Sequence, residues 1–176
     1  IDIDPSGTYA VVADRSNHRI RKIVLATGEV TTLAGSGSGG FQDGTGTSAR
    51  FYLPNGIDID PSGTYAVVAD NDNNRIRKIV LATGEVTTLA GSGSFGFQDG
   101  IGTSARFNYP NGIDIDPSGT YAVVADTQND RIRKVVLTAC ARGFRIASSG
   151  ASCDACPAGQ TIDPPAQSAA DACAPC

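Results

Sequence analysis

Tyr65-Ala66-Val67-Val68-Ala69 is apolar at every position. A strand with one wet face alternates apolar and polar residues, so this run predicts a strand covered on both faces. It is the second of four short strands in one unit of pattern. GIDID (56–60) is the first, TYAVVAD (64–70) the second, RIRKIVLA (75–82) the third and EVTTLAG (85–91) the fourth. Asp60-Pro61-Ser62-Gly63 predicts the first turn, with Asp in its first position and Pro in its second. NDNN (71–74) reads as a polar loop, and Thr83-Gly84 closes a hairpin. The Gly-rich linker that follows (92–112) is expected to hold one helical turn around residues 103–107, with no other helix in the chain. The fourth strand is wetter than the second, because Val86 and Leu89 stand among Glu85, Thr87 and Thr88. An interior second strand and a wetter fourth fit an all-β fold. Antiparallel four-stranded sheets would stack radially about an axis as the blades of a β-propeller. A parallel β-helix would need a much shorter repeat.

The unit recurs. IDIDPSGTYAVVAD begins at Ile1, Ile57 and Ile113, a period of 56 residues, and the first two copies differ only at positions 15, 16, 18, 39, 45, 52 and 53. The blades therefore divide residues 1–138 into 1–56, 57–112 and a partial third copy, 113–138, which stops after RIRKVVL (131–137) without a GEVTTLAG. Propellers close with roughly four to eight blades. Fewer than three leave two faces rich in Val, Ile and Tyr, costly to wet at about 25 cal/mol per Å². The expectation is an incomplete ring, the C-terminal part of a longer one or one completed by several chains. The last blade would take its outer strand from far upstream or, as an alternative, from residues 143–147. The chain lacks an initiator Met and starts inside a repeat, so it is expected to be a fragment or a processed product.

Composition narrows the functional classes. With 14 basic and 18 acidic residues the net charge is −4, and the charges are dispersed, so there is no polybasic face for nucleic acid or anionic membrane. No run approaches the ~18 apolar residues of a membrane-spanning helix. All five cysteines lie within residues 140–176. That clustering predicts a boundary near Thr138, a separate module over 139–176 and an oxidising compartment, hence an extracellular or cell-surface location.

The recurring polar residues are the candidates for chemistry. Asp14, Asp70 and Asp126 recur with Asn17, Asn73 and Asn129 and with Arg19, Arg75 and Arg131. They read as structural loop residues, with Asp and Asn bonding loop amides and Arg pairing with a carboxylate. A binding surface on one propeller face is the functional alternative. Asp70-Asn71-Asp72-Asn73-Asn74 has the look of a calcium loop but lacks the Gly and Glu such a loop needs. Asp2, Asp58 and Asp114 lie in the first strand, each between two isoleucines, and are candidate metal ligands in an axial ring. The favoured reading pairs them instead with Arg21, Arg77 or Arg133. His18, the only histidine, has Asn74 and Asp130 as equivalents and is expected to be solvent-exposed. No Ser-His-Asp or Cys-His set can be assembled, and GSGSGG (35–40) lacks the GK[ST] of a phosphate loop and reads as a flexible linker. No catalytic residue and no cofactor is assigned.

Phe107-x-x-Pro110-x-Gly112-Ile113-x-Ile115-Asp116, Val124-Ala125-Asp126 and Asn129-x-Arg131-Ile132 together resemble the NHL repeat, and Asn17-His18-Arg19 followed by Ile20 carries the same pattern. The linker GFQDGxGTSARF resembles the insert between NHL blades of many plant and algal proteins. The resemblance covers 1–138 and implies a propeller, commonly six-bladed, that serves as a binding platform. In the tail, Cys140-x-x-Gly143-Phe144 and Gly150-x-x-Cys153-x-x-Cys156-Pro157-Ala158-Gly159 resemble the cysteine-rich modules of ephrin-type and tumour-necrosis-factor-type receptors. That resemblance implies a disulfide ladder pairing Cys140 with Cys153 and Cys156 with Cys173, leaving Cys176 for a further module. The two CxxC pairs also match zinc-ligand spacing, the reading ranked second.

The function expected from the sequence is a non-enzymatic extracellular scaffold. Its loops would meet protein partners, through self-assembly or with other extracellular proteins, and its tail would act as a spacer. Two alternatives stand beside it: a piece of a six-bladed hydrolase-like propeller with its catalytic residues upstream, and a glycan- or peptide-binding propeller. The shortage of aromatics (no Trp, five Tyr) weighs against sugar stacking.

Overall fold

The computed structural model of the chain describes residues 1–137 and four strands of two or three residues beyond them. The first sheet runs in the order β1 (Asp2–Ile3), β2 (Tyr9–Asp14), β3 (Arg19–Val24), β4 (Val30–Ala34). The third has only β10 (Pro110–Ile115), β11 (Tyr121–Asp126) and β12 (Arg131–Val136). The second has five strands: β5 (Gly44–Thr45), then β9 (Glu85–Ala90), β8 (Arg75–Val80), β7 (Tyr65–Asp70) and β6 (Pro54–Ile59). Every pairing is antiparallel, and the second and third strands of each unit keep one register, for example Tyr65 opposite Val80 and Asp70 opposite Arg75. These are all-β, propeller-like blades.

The local chemistry explains the connections. Asp60 folds the DPSG turn around its own carboxylate: Oδ1 accepts from the backbone N–H of Thr64 (2.7 Å) and Tyr65 (2.6 Å), and Oδ2 from that of Ser62 (3.0 Å). Asp4 and Asp116 do the same in their units. The NDNN loop is a single 3-10 turn, Asn71–Asn73, closed by Asn74 at φ 52°, and the same turn follows β2 and β11. The helical turn expected around 103–107 sits slightly earlier, at Gly102–Ser104, because Ala105 is already extended.

β7 is the hinge of the packing. Ala66 and Val68 face a core shared with the first blade, which also holds Val11, Ile20, Phe51 and Ile79. Val67 and Ala69, pointing the other way, face a second core with Phe107, Ala122 and Val124 of the third. Val67 and Val68 are both 0% exposed, so the unbroken apolar run follows from burial on two sides. Among the described residues the outer blades have a neighbour on one side only, and Val123, the equivalent of Val67, is 38% exposed.

The linkers depart from the expectation of flexibility. Residues 39–53 run over the outer side of the second blade. Gly44–Thr45 pairs with Val86 and Glu85 as the fifth strand, and Ala49 and Phe51 are fully buried. Phe144–Ile146 pairs with Cys153–Ala155 in a separate sheet, so it does not supply the third blade's missing strand. The inferred disulfides lie outside what is described: Cys140, Cys156, Cys173 and Cys176 are not among the described residues, and Cys153 is described in its backbone alone.

Candidate functional site

At the centre of each occupied blade face is a polar knot tied by Asp, Asn and Arg. Asp70 ends β7, and its carboxylate accepts from three sources. Asn73 Nδ2 (2.8 Å) and Arg77 Nη1 (2.7 Å) donate to Oδ2, and the backbone N–H of Tyr52, from the linker, donates to Oδ1 (2.8 Å). Arg77 is fully buried and reaches further into the linker, donating to the carbonyls of Arg50 (3.1 Å) and Gln42 (2.9 Å) and to Asp43 Oδ1 (2.6 Å). Asp43 also accepts from the N–H and hydroxyl of Thr88. The third blade repeats the knot with Asp126, Asn129, Arg133, Asp99 and the N–H of Asn108. A cation buried among this many acceptors is compensated, whereas one lacking them would be costly.

The other strand-three arginine has a different task. Arg75 donates to the carbonyls of Asn73 and Ser92 and lies over the ring of Phe41, with Cζ 3.7 Å from its centroid. Arg131 lies over Phe97 in the same way, and Arg19 bonds the carbonyls of Asn17 and Ser36. The carboxylate expected for Arg19, Arg75 and Arg131 is thus taken by Arg21, Arg77 and Arg133, because the first set is drawn outward over the linker backbone and rings. Gly37 and Gly93, both at positive φ, let the guanidinium approach, since a Cβ there would meet Arg19 or Arg75 nitrogens at 2.2 Å. GSGSGG (35–40) is thereby a packed platform, not a loose tether.

The loop after strand two joins neighbouring units. Asn71 Nδ2 donates to the Pro110 carbonyl (2.8 Å), and Asn74 Oδ1 accepts from the Tyr109 N–H (2.9 Å). His18, expected in solvent, is half-buried in Asn74's role: its Nδ1 accepts from the Leu53 N–H (3.2 Å) at φ 53°. The position calls for a side-chain acceptor that tolerates left-handed backbone, which is why His, Asn and Asp alternate there.

Asp2 and Asp58 do not pair with strand-three arginines, which are occupied by Asp14 and Asp70. Each instead caps a backbone N–H of the next unit's first strand: Asp2 Oδ2 accepts from Ile59 (2.9 Å), and Asp58 Oδ2 from Ile115 (2.6 Å). Asp114 is exposed. Burial, with the like charges of Asp2 and Asp114 adding to it, pushes the Asp58 carboxyl up to about 6. At Asp4 and Asp116 burial also acts upward, but the Ser, Thr and Tyr donors outweigh it and hold both carboxyls down at about 2. Among the described residues no three His, Cys, Asp or Glu side chains gather in a metal-binding group, and no helix is long and apolar enough to cross a membrane.

The large apolar side chains that the linkers leave exposed are mostly aromatic. Phe41, Tyr52, Phe95, Phe97 and Tyr109, all on the linkers, are exposed large side chains, Phe95 by 74%. Sequence reading passed over these residues and the acids Asp43 and Asp99. The signal that could have found most of them is the repetition of GFQDG in two linkers.

The comparisons agree with the blades. A family model described as the LVIVD repeat matches residues 56–74. NHL repeat-containing protein 2 of Bos taurus is 34% identical over 134 residues, which is 72% of this chain and 18% of that protein. The chain thus spans less than a fifth of this relative's length. Among solved structures, an auxiliary nutrient binding protein from Bacteroides thetaiotaomicron is 31% identical with a TM-score of 0.67, over 77% of this chain and 36% of that one. A putative phosphatase from the same organism is 26% identical with a TM-score of 0.67, over 80% and 35%. Across its repeats, this chain is a β-propeller-like protein of the NHL/LVIVD repeat type.

Proposed function

We propose that the chain is a non-enzymatic interaction scaffold at the cell surface or outside the cell, with the linker rims of its blades as the contact surface. The observation that carries this reading is the division of labour among the repeated residues. Asp70, Asn73, Arg75 and Arg77, and their counterparts in the third unit, are consumed in holding linker to blade. Of the large apolar side chains that the linkers leave exposed, all but Ile101 are aromatic, the residue type that anchors protein interfaces. The likeness to nutrient binding proteins supports a binding role. The cysteine-rich segment, read as a disulfide-linked module over 139–176, supports the extracellular location and would serve as a spacer. The partners are other proteins or further copies of the chain.

Sedimentation velocity over a concentration series tests the reading, run beside an assay of phosphate-monoester hydrolysis. The scaffold reading expects concentration-dependent association that Phe95→Ser with Phe97→Ser abolishes, and no turnover. A monomer at all concentrations that hydrolyses the ester contradicts it and favours the hydrolase-like alternative.

A further inference from the structure

The second and third blades each hold a linker in a groove, and the first blade has the same groove with no linker in it. Val12, Ala13, Asp14, Arg15, Ser16, Arg21, Ile23 and Val30 line an open depression of about 430 Å³. Their equivalents one unit on include Val68, Asp70, Arg77, Ile79 and Val86, the residues that receive residues 40–52.

The differences between open and filled grooves are those expected of a site and its occupant. Val86 is 1% exposed beside the Gly44–Thr45 strand, and Val30 is 48% exposed. Arg77 meets two carboxylates and two linker carbonyls, whereas Arg21 meets Asp14 at 3.2 Å and the Thr31 carbonyl of its own blade. Asp70 gives Oδ1 to the Tyr52 N–H and Oδ2 to Asn73, whereas in the open groove Asn17 Nδ2 turns to Oδ1 of Asp14 (2.9 Å). The outer edge of β4 carries backbone donors and acceptors of the kind that recruit an added strand.

We propose that the first-blade groove is a docking site for a GFQDGxGTSARF segment presented by another unit of this same repeat. The segment adds a short strand against Glu29 and Val30. Its Asp caps the Arg21 guanidinium, two of its backbone carbonyls accept from the guanidinium nitrogens, the backbone N–H of the residue after its final Phe meets Asp14, and that Phe enters the apolar floor at Val12 and Ile23. The occupant is named by observation: the segment sits with its added strand in the groove of the second blade, and its Asp and Phe sit the same way in the third, whose sheet has no fourth strand among the described residues. The inference rests on the groove geometry and is independent of the scaffold reading.

The test uses the full chain and a synthetic peptide of residues 39–55 in an NMR titration. Docking in trans lacks the effective concentration of a tether, so binding is expected in the range below about 1 mM. The expected result is saturable one-to-one binding that shifts the amides of Val12, Asp14, Arg21 and Val30. Binding should weaken at least about tenfold when the peptide carries Asp43→Ala or the chain carries Arg21→Ala. The peptide substitution leaves the protein untouched, so a folding defect in the chain variant cannot imitate it. No binding at about 1 mM, unchanged binding of the Asp43→Ala peptide, or shifts confined to Val123 and Ile132 on the third blade would overturn the proposal.

Discussion

Arg77 and Arg21 hold the same place in consecutive repeats and live in different worlds. Arg77 is 0% exposed, between Asp70 and Asp43, with a linker lying across it; Arg21 is 29% exposed beside Asp14 alone. Near-identical sequence therefore gives a sealed middle blade and an open first blade, and the difference at the arginine follows from what is packed alongside. A repeat of this kind cannot bury its own faces, so its stability belongs to the interfaces between units.

The comparison can be broken most sharply at β7. Val68→Asp places a charge in a core closed on both sides and should cost more than ~4 kcal/mol, enough to abolish a cooperative melt. Val12→Asp, the same change one unit earlier on the half-exposed face, should cost ~1 kcal/mol or less. Equal losses in thermal or urea unfolding would show that the two blades are covered alike. The arginines come next. Arg77→Ala leaves Asp70 buried without its cation and should cost ~3–5 kcal/mol, while Arg21→Ala should stay under ~1 kcal/mol. Gly56 offers a smaller contrast. A Cβ there would stand 2.4 Å from the Asn111 carbonyl of the next blade, whereas at Gly112 it would meet nothing closer than 3.8 Å. Gly56→Ala should cost ~1–3 kcal/mol and Gly112→Ala within ~0.5 kcal/mol in the same measurement.

The smallest effect concerns the carboxylates of the first strands. Asp58 sits at about 6 in the fold against an ordinary 3.8. The folded chain therefore binds that proton more tightly than the unfolded one, and stability rises as pH falls from about 6 towards about 4. Asp58→Asn keeps an acceptor for the Ile115 N–H and removes the charge. It should raise the melting temperature by about 2–4 °C near neutral pH and flatten the slope between about pH 4 and 6. Asp4 and Asp116 act in the opposite sense: held at about 2, they stabilise the fold above their ordinary range and lose that contribution as pH falls towards 2.

The blades were legible in the sequence because their signals are side-chain signals. The uninterrupted apolar run of β7, the DPSG turn and the 56-residue period each follow from composition at fixed positions. The linkers were not legible, because most of what holds them is backbone. The carbonyls of Gly40, Gln42 and Arg50 accept the bonds, and a carbonyl carries no sequence signature. Glycine-rich composition then read as looseness where it allows close approach. The partner of Asp70 was hidden for another reason. Arg75 stands opposite it in the register and Arg77 lies two residues along on the same face; Arg75, like Arg19, is drawn off by loop and linker carbonyls, which leaves the carboxylate to the other arginine. Asp2 and Asp58 were placed in the first strand, but their partners are N–H groups of the next blade, which only the stacking brings within reach.

Residue-resolved hydrogen exchange of the intact chain is the direct test of a middle blade sealed by its neighbours. The amides of Ala66–Ala69 and Ile76–Ile79 should exchange slowest, and their counterparts in β2 and β11 should exchange distinctly faster despite matching sequence. Equal protection across the three repeats, or faster exchange in β7 than in β2, would contradict the account.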